Sequence, residues 1–254
     1  MVYPIWLAGL SLLFVIAERI WPRHKQQPLW RPGILSDLCY LVFNSEYLGV
    51  LVGIAAVRLI PAFGLQRLNL NVMQPAPAWL QFVVLLLVFD FLQWCIHNLL
   101  HRVSWLWEFH KVHHSILDMD WIGDWRFHWM EIVVYRSLLY VPAAFCGFRG
   151  DVMFWVGIVN TLVGHFAHAN LSWHIGKLRY VINSPEMHIW HHNHPAEGPI
   201  NRNFGITLSI WDWLFGTAYV PPKDPARLGF EGDDRFPKQL PGQWLAPFQA
   251  LLRR

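Results

Sequence analysis

Long runs of apolar residues divide the first two thirds of the chain, and their lengths predict membrane-spanning helices. About 20 helical residues cross the hydrocarbon core of a bilayer, so runs near that length are candidate spans. These runs cover residues 2–20, 35–60, 79–100, 132–148 and 152–167. The turn-like segment 147–151 joins the last two into an expected helical hairpin. The pattern predicts an all-α integral membrane protein with four to five transmembrane helices.

Positive charges near the ends of these runs predict the orientation. Lys and Arg favour the cytoplasmic side of a membrane, and none precedes the first run, whereas Arg19, Arg23, Lys25 and Arg31 lie at its far end or after it. Alternating the later runs places the 101–131 loop and the chain from about residue 169 on this side. The first run lacks a basic amino-terminal region and a small-residue cleavage site, which favours a retained helix over a signal peptide.

Composition supports a membrane protein and narrows the classes of partner. The chain is 54% apolar, 16% aromatic and only 15% charged, which indicates surface in contact with lipid. A net charge of +3 is explained by cytoplasmic loops beside anionic lipid, and it gives no reason to propose nucleic acid. Cys39, Cys95 and Cys146 are odd in number and lie inside apolar runs, so neither disulfides nor a cysteine metal site is expected.

Ten of the fourteen histidines form four clusters, each where an apolar segment ends or a polar loop begins. Neutral imidazole binds zinc, copper, iron and nickel, and spacings of three and four residues place side chains on one helix face. The clusters are His97 and His101; His110, His113 and His114; His165 and His168; and His188, His191 and His192. Because ten imidazoles exceed the need of one metal, the pattern predicts a two-metal centre at a membrane surface.

Other residues near the clusters have candidate supporting roles. Asp90 lies on the helical stripe of His97 and His101, so its carboxylate is expected to accept the second N–H of a ligating histidine. The alternative is a helix-packing aspartate bonded to a hydroxyl group or water. His128 has two open roles, as a partner of a ligand or in packing at the membrane surface. The isolated His24, His174 and His194 are expected at the protein surface.

The order of motifs over residues 90–217 closely resembles the fatty acid hydroxylase and sterol desaturase superfamily of integral-membrane non-haem diiron enzymes. The motifs are the histidine segments 97–101, 110–114 and 188–192, with Arg126-Phe127-His128, His168-Ala169-Asn170, Pro185-Glu186-Met187-His188, Asn203-Phe204-Gly205 and Trp211-Asp212-Trp213-Leu214-Phe215-Gly216-Thr217. Trp129 and Ala167 depart from the family, in which Pro and often Gln are found there. These departures leave the roles of His128 and His165 open.

The resemblance implies a transmembrane bundle with a histidine-rich metal cap on its cytosolic side. Two non-haem irons would be held by eight to ten of the clustered histidines, with O2 as co-substrate. We expect such a centre to use external electrons to hydroxylate a C–H bond of a sterol, fatty acyl or related lipid. Desaturation of the lipid is the second expectation. We expect N-terminal transmembrane helices over 1–78, the catalytic region over 79–217 and a Pro-rich cytoplasmic tail over 218–254.

The electrons are expected to come from a separate protein. No Gly-x-Gly-x-x-Gly run occurs in the chain, so a nucleotide or flavin site of that kind is not predicted. A ferredoxin, cytochrome or reductase is the expected donor. The basic residues Lys111, Arg126 and Arg202 adjoin the histidine clusters in sequence and are the hypothetical docking site.

Three other functions use histidine in membranes. A zinc hydrolase typically has Glu beside the first His of HExxH, where this chain has Asn98. A haem-binding electron carrier uses paired helical histidines, but it gives no role to the adjacent pairs His113-His114 and His191-His192. A non-catalytic metal transporter would place its histidines along a path across the membrane rather than at one surface.

Overall fold

The computed structural model describes residues 2–253, and within them the chain folds into helices without any β-strand. This confirms the all-α prediction. A π-helical turn, Phe43–Tyr47, joins two helices into one rod, and the 3₁₀ turns include Trp121–Trp125. The α-helices are Tyr3–Ile20 (α1), Ile34–Val42 (α2), Leu48–Ala62 (α3), Ala78–Arg102 (α4), Ser104–His114 (α5), Trp129–Phe145 (α6), Gly150–His168 (α7), Pro185–His191 (α8), Ile210–Leu214 (α9) and Leu240–Leu252 (α10).

Three stretches of helix in the described chain are long and apolar enough to cross a membrane. They are α1 with 18 residues, the α2–α3 rod with 29 and α4 with 25. Large apolar side chains on them face outwards, including Ile5 (69% exposed) and Val57 (75% exposed). Such apolar patches are typical of contact with lipid. The chain is an integral membrane protein.

The two remaining predicted spans are α6 and α7, which the short segment 146–149 joins. Helix α6 has 17 residues, fewer than the other predicted spans, and contains the charged Glu131 and Arg136. Among residues 2–253, only the three stretches above meet the criteria of length and hydropathy. The total of four to five spans and their orientation therefore stay predictions.

Helix α7 lies at the centre of the bundle, where it packs against α1, α4, α8 and the Trp121–Trp125 turn. One apolar core forms where α4, α6 and α7 meet. Its buried residues are Leu85, Phe89, Leu139, Ala143, Val152 and Val156. At the end of α4, the extended residue Val103 (φ −96°, ψ 112°) separates α4 from α5, and the two helices then pack together. This turn brings the histidines of α4 next to those of α5.

Asp90 has a different role from the one predicted. Its buried carboxylate accepts hydrogen bonds from the backbone N–H groups of Thr207 (2.8 Å) and Leu208 (3.1 Å) and from the indole of Trp211 (2.7 Å). These bonds tie α4 to the segment that leads into α9. The expectation that Asp90 orients a histidine is therefore corrected: a loop covers its face of α4.

The predicted irregular tail is partly helical and packs against the histidine-rich end of the bundle. Helix α10 has Pro241 near its start, a position that tolerates proline because its N–H has no helical partner. His128 donates from Nε2 to the Trp244 carbonyl (3.0 Å), while its Nδ1 accepts from Met130 N–H (3.2 Å). His128 thus caps α6 and holds α10 in place.

Candidate metal centre

Nine histidine side chains converge into two groups beyond the ends of α4 and α7. Within each group, one ring nitrogen of every residue lies within 4.8 Å of the others. The five-histidine group consists of His97, His101, His110, His114 and His191, and the four-histidine group of His113, His168, His188 and His192. All nine belong to the clusters identified in the sequence.

Each HxxHH segment contributes to both groups rather than serving one. His110 and His114 join the five-histidine group, while His113 between them joins the other. Helix α8 and the residue after it do the reverse: His188 and His192 join the four-histidine group, and His191 joins the five-histidine group. Residues four apart lie on nearly the same face of a helix, whereas the third residue is rotated towards the neighbouring site.

The separations between Nε2 atoms match those of ligands around a metal ion. In the five-histidine group, His114 Nε2 lies 3.1 Å from Nε2 of both His101 and His191. In the four-histidine group, His188 Nε2 lies 2.9 Å from that of His168 and 3.1 Å from that of His192. Two nitrogens bound at a right angle, each about 2.1 Å from a metal, would be about 3.0 Å apart.

The hydrogen bonds at Nδ1 make the five-histidine group suitable for a cation. His97 Nδ1 donates to the Phe204 carbonyl (2.8 Å), and His110 Nδ1 donates to Glu131 Oε1 (2.9 Å). A neutral imidazole has a single N–H, so both Nε2 atoms present lone pairs. These two lone pairs face each other at 3.1 Å. Such an arrangement is repulsive unless a positive ion lies between them.

The four-histidine group shows the same arrangement. His113 Nδ1 donates to the Arg126 carbonyl (3.3 Å) and His168 Nδ1 to the Gly164 carbonyl (2.9 Å). Their Nε2 atoms, again left with lone pairs, are 3.3 Å apart. His188 and His192 each have a buried Nδ1 without a hydrogen-bond partner in the described structure. The donor set therefore fits a metal ion in each group.

Burial keeps the histidines that follow α4 and α7 uncharged. Loss of solvent lowers the pKa of each ring well below its usual value, and neighbouring imidazoles lower it further. This holds for His110, His113, His114, His188, His191 and His192. A metal binds only the deprotonated nitrogen, so these rings are in the form that a ligand requires at neutral pH.

A loop before α9 orients two ligands of the five-histidine group. His191 Nδ1 donates to the Arg202 carbonyl (2.8 Å), just as His97 donates to that of Phe204. Asp212 holds the loop by accepting from the N–H groups of Phe204 (2.9 Å) and Gly205 (2.7 Å). In the sequence, this loop was marked only by the motifs at 203–205 and 211–217. The contact between the two motifs depends on the tertiary fold.

Glu131 is the carboxylate that sequence reasoning missed. It lies at the start of α6, is 5% exposed and accepts from His110 Nδ1. The sequence feature that could have indicated this role is a charged residue directly before the apolar run 132–148. A carboxylate in this position fixes the ring and increases the basicity of the ligating nitrogen.

Replacing Glu131 with alanine is expected to weaken metal binding in the five-histidine group about 10–100-fold, because His110 loses its orienting partner. Glu131→Gln keeps an acceptor oxygen and should retain more affinity. Chelator competition on the two purified variants measures this. Wild-type affinity in Glu131→Ala would show that the carboxylate has no influence on the ligand.

His165 belongs to neither group, although its ring is fully buried. Its Nδ1 donates to Asp124 Oδ2 (3.0 Å), and Asp124 Oδ1 lies 3.6 Å from His168 Nδ1. A Cβ at Gly164 would lie 2.6 Å from Asp124 Oδ1, so this position favours glycine. The Asp124 carboxylate thus lies between His165 and the candidate ligand His168. Nine of the ten predicted histidines remain candidate ligands.

The variant pair His165→Ala and His168→Ala should separate these roles. We expect His168→Ala to lose one metal ion per chain, because its Nε2 contacts two other nitrogens of the four-histidine group. His165→Ala should keep the wild-type metal content. Metal analysis of the purified proteins decides, and equal losses in the two variants would return His165 to the ligand set.

Arg126 does not lie on the surface, which corrects its predicted role in docking. It is 5% exposed and binds Asp37 through both Nε and Nη2, the latter at 2.8 Å. Asp37 also binds Arg31 (2.8 Å), which in turn binds Asp120. These four residues form a buried ion-pair network, hereafter the Arg–Asp network, beside the four-histidine group.

A cavity of about 680 Å³ extends from the histidines into the helical bundle. Rings from both groups line one end, including His97 and His110 from the first and His113 and His168 from the second. Mostly apolar residues of α3, α6 and α7 form the remaining wall. The cavity has the size and lining typical of a site for a small apolar molecule.

Comparison with known proteins places this arrangement in context. The profile of the fatty acid hydroxylase family matches residues 82–217, which contain all nine converging histidines. An ornithine lipid hydroxylase from Rhizobium tropici is 34% identical over 180 residues, covering 70% of this chain and 53% of that protein. An alkylglycerol monooxygenase from Xenopus tropicalis is 31% identical over 157 residues, covering 59% of this chain and 32% of that protein.

A methylsterol monooxygenase from Arabidopsis thaliana is 24% identical over 195 residues, covering 72% of this chain and 64% of that protein. The chain therefore spans between about a third and two thirds of the length of these relatives. No solved structure matches it at a significant level.

Proposed function

Because the chain belongs to the fatty acid hydroxylase family, we propose that it is a membrane-bound non-haem diiron oxygenase that hydroxylates a C–H bond of a lipid. The observation that carries this proposal is the convergence of nine histidines on one end of an apolar cavity within the bundle. The relatives named above are hydroxylases and monooxygenases, which favours hydroxylation over desaturation.

Each of the two histidine groups would hold one iron. With O2 as co-substrate and external electrons, the irons would supply the oxidation of an unactivated C–H bond, which no side chain performs. Carbonyl groups of Phe204, Arg202, Arg126 and Gly164 keep the protons on Nδ1 and leave Nε2 free to bind. Preset ligand tautomers mean that the site needs little rearrangement on metal binding.

The cavity would bind the lipid substrate and hold it beside the histidines. Apolar walls favour an alkyl chain over water. Holding the reacting carbon beside the histidines replaces a chance encounter by a fixed geometry, which is a major source of rate acceleration. The small residues Ala56 and Gly157 in the lining leave room for an alkyl chain.

We further propose that the metal site lies on the cytoplasmic side and receives electrons from a separate carrier protein. The distribution of Lys and Arg around α1 supports this orientation. Of the predicted docking residues, Lys111 and Arg202 remain partly exposed and Arg126 is excluded by its burial.

Oxidation of cellular lipids under labelled O2 tests the proposed activity. The full chain is expressed with iron, and membrane lipids are analysed by mass spectrometry for incorporation of heavy oxygen. A hydroxylated lipid carrying the label is expected, and it should be absent from cells expressing a His114→Ala, His188→Ala double variant. An iron-loaded protein that yields no oxidised lipid beyond the double variant would contradict the proposal.

A further inference from the structure

Arg136 places a positive charge in the wall of the apolar cavity. It lies seven residues after the start of α6, about 10 Å along the helix axis, and lines the same cavity as His110 and His113. An ionisable residue inside a membrane bundle is costly, so it usually has a partner or a function. Among the described side chains, Arg136 forms no ion pair with a carboxylate.

The guanidinium lies close to the histidine end of the cavity. Its Nη2 donates to the Asn44 carbonyl (2.8 Å), and the Asn44 amide donates to the carbonyls of Trp125 and Phe127 (both 3.0 Å). The Phe127 ring stacks on His113, with centroids 4.2 Å apart. Two residues, Asn44 and Phe127, thus connect Arg136 to a candidate metal ligand.

A second unused hydrogen-bond donor lines the cavity on α4. The Gln93 Nε2 atom is buried and has no hydrogen-bond partner in the described part of the chain. Gln93 precedes His97 by one helical turn, and both line the cavity. Because an unpaired buried polar group destabilises a fold, its presence indicates that something else satisfies it.

We propose that Arg136 binds an anionic oxygen group, a carboxylate or a phosphate, of the lipid substrate, with Gln93 donating to an oxygen of the same polar end. The inference rests on the proposed function and narrows its substrate class from any lipid to acidic lipids. Arg suits this role because its planar guanidinium presents paired N–H donors to a carboxylate or phosphate. Walls formed by α3, α6 and α7 would hold the alkyl chain.

Two glycines on α3 provide a matched pair of variants for this proposal. A Cβ at Gly49 would overlap Nη1 of Arg136, so Gly49→Ala must displace the guanidinium without changing any charge. A Cβ at Gly53, one turn further, meets no atom within 4 Å. Both glycines line the cavity, so Gly53→Ala controls for a methyl group added to the same wall.

The test compares binding of two matched pairs of radiolabelled lipids to the full-length, iron-loaded protein in non-ionic detergent. The pairs are palmitic acid with methyl palmitate, and palmitoyl lysophosphatidic acid with monopalmitoylglycerol. We expect the acidic member of at least one pair to bind about tenfold or more tightly than its neutral partner, in line with a hydrogen bond to a charged group. The pair that shows the preference identifies the carboxylate or the phosphate.

Arg136→Gln and Gly49→Ala should abolish this preference, whereas Gly53→Ala and wild type should share it. Equal affinities for acidic and neutral lipids in wild type would overturn the inference, as would a preference that survives in Arg136→Gln. Metal content is measured in the same samples. Iron binding without an acidic preference rejects only this inference, whereas a protein that lacks iron rejects the proposed function.

Discussion

His188→Ala is expected to remove one of two irons per chain and to reduce lipid oxidation to background. His188 Nε2 contacts the Nε2 atoms of both His168 and His192, which are two of the other three members of the four-histidine group. Its loss leaves three nitrogens for that ion. His114→Ala should have the same effect on the five-histidine group, in which His114 contacts both His101 and His191.

His174→Ala is the matched control for these variants. His174 lies outside both groups, and its side chain is 75% exposed and bonded to Glu186. Metal analysis and product analysis are made on the same preparations. If either ligand variant kept two irons and full activity, the assignment of its group as a metal site would be wrong.

Asp37→Ala is expected to destabilise the protein by about 3–5 kcal/mol, because removing one member of a buried ion pair leaves its partner charged and unpaired. Asp37 is fully buried and binds both Arg31 and Arg126. The Arg126 carbonyl orients His113, so the metal content of the four-histidine group should fall as well. Denaturant unfolding in detergent measures the free-energy difference.

The control for this variant is Asp224→Ala. Asp224 also pairs with an arginine, Arg23 at 3.0 Å, but its side chain is 41% exposed. An exposed pair contributes about 1 kcal/mol or less, so little change is expected. Similar losses of unfolding free energy in Asp37→Ala and Asp224→Ala would show that the Arg–Asp network stabilises the fold no more than an exposed ion pair does.

The ligand candidates were predictable from sequence because helical spacing is a local property. Three- and four-residue intervals place the rings of α4, α5 and α8 on shared faces, and nine of the ten predicted histidines converge. The division between two groups was not predictable in this way. It depends on how α5 and α8 face each other, and their histidines are separated by more than seventy residues.

The supporting residues were harder to predict, because their partners are distant in sequence. Asp90 shares a helix with two ligand candidates, yet the 207–211 segment reaches its carboxylate first. Glu131 fills the expected role from another helix, 21 positions after His110. Arg126 looked like a surface charge beside the ligands, but Asp37, 89 positions earlier, buries it in an ion pair.

Iron and zinc content per chain is the most direct test of a two-iron centre. The measurement is made on the full-length protein purified in detergent, beside the His114→Ala, His188→Ala double variant and the His174→Ala control. We expect two irons in wild type and control, and neither iron nor zinc in a double variant that elutes at the same volume as wild type. A single zinc in wild type, or iron that persists in the double variant, would contradict the two-iron centre.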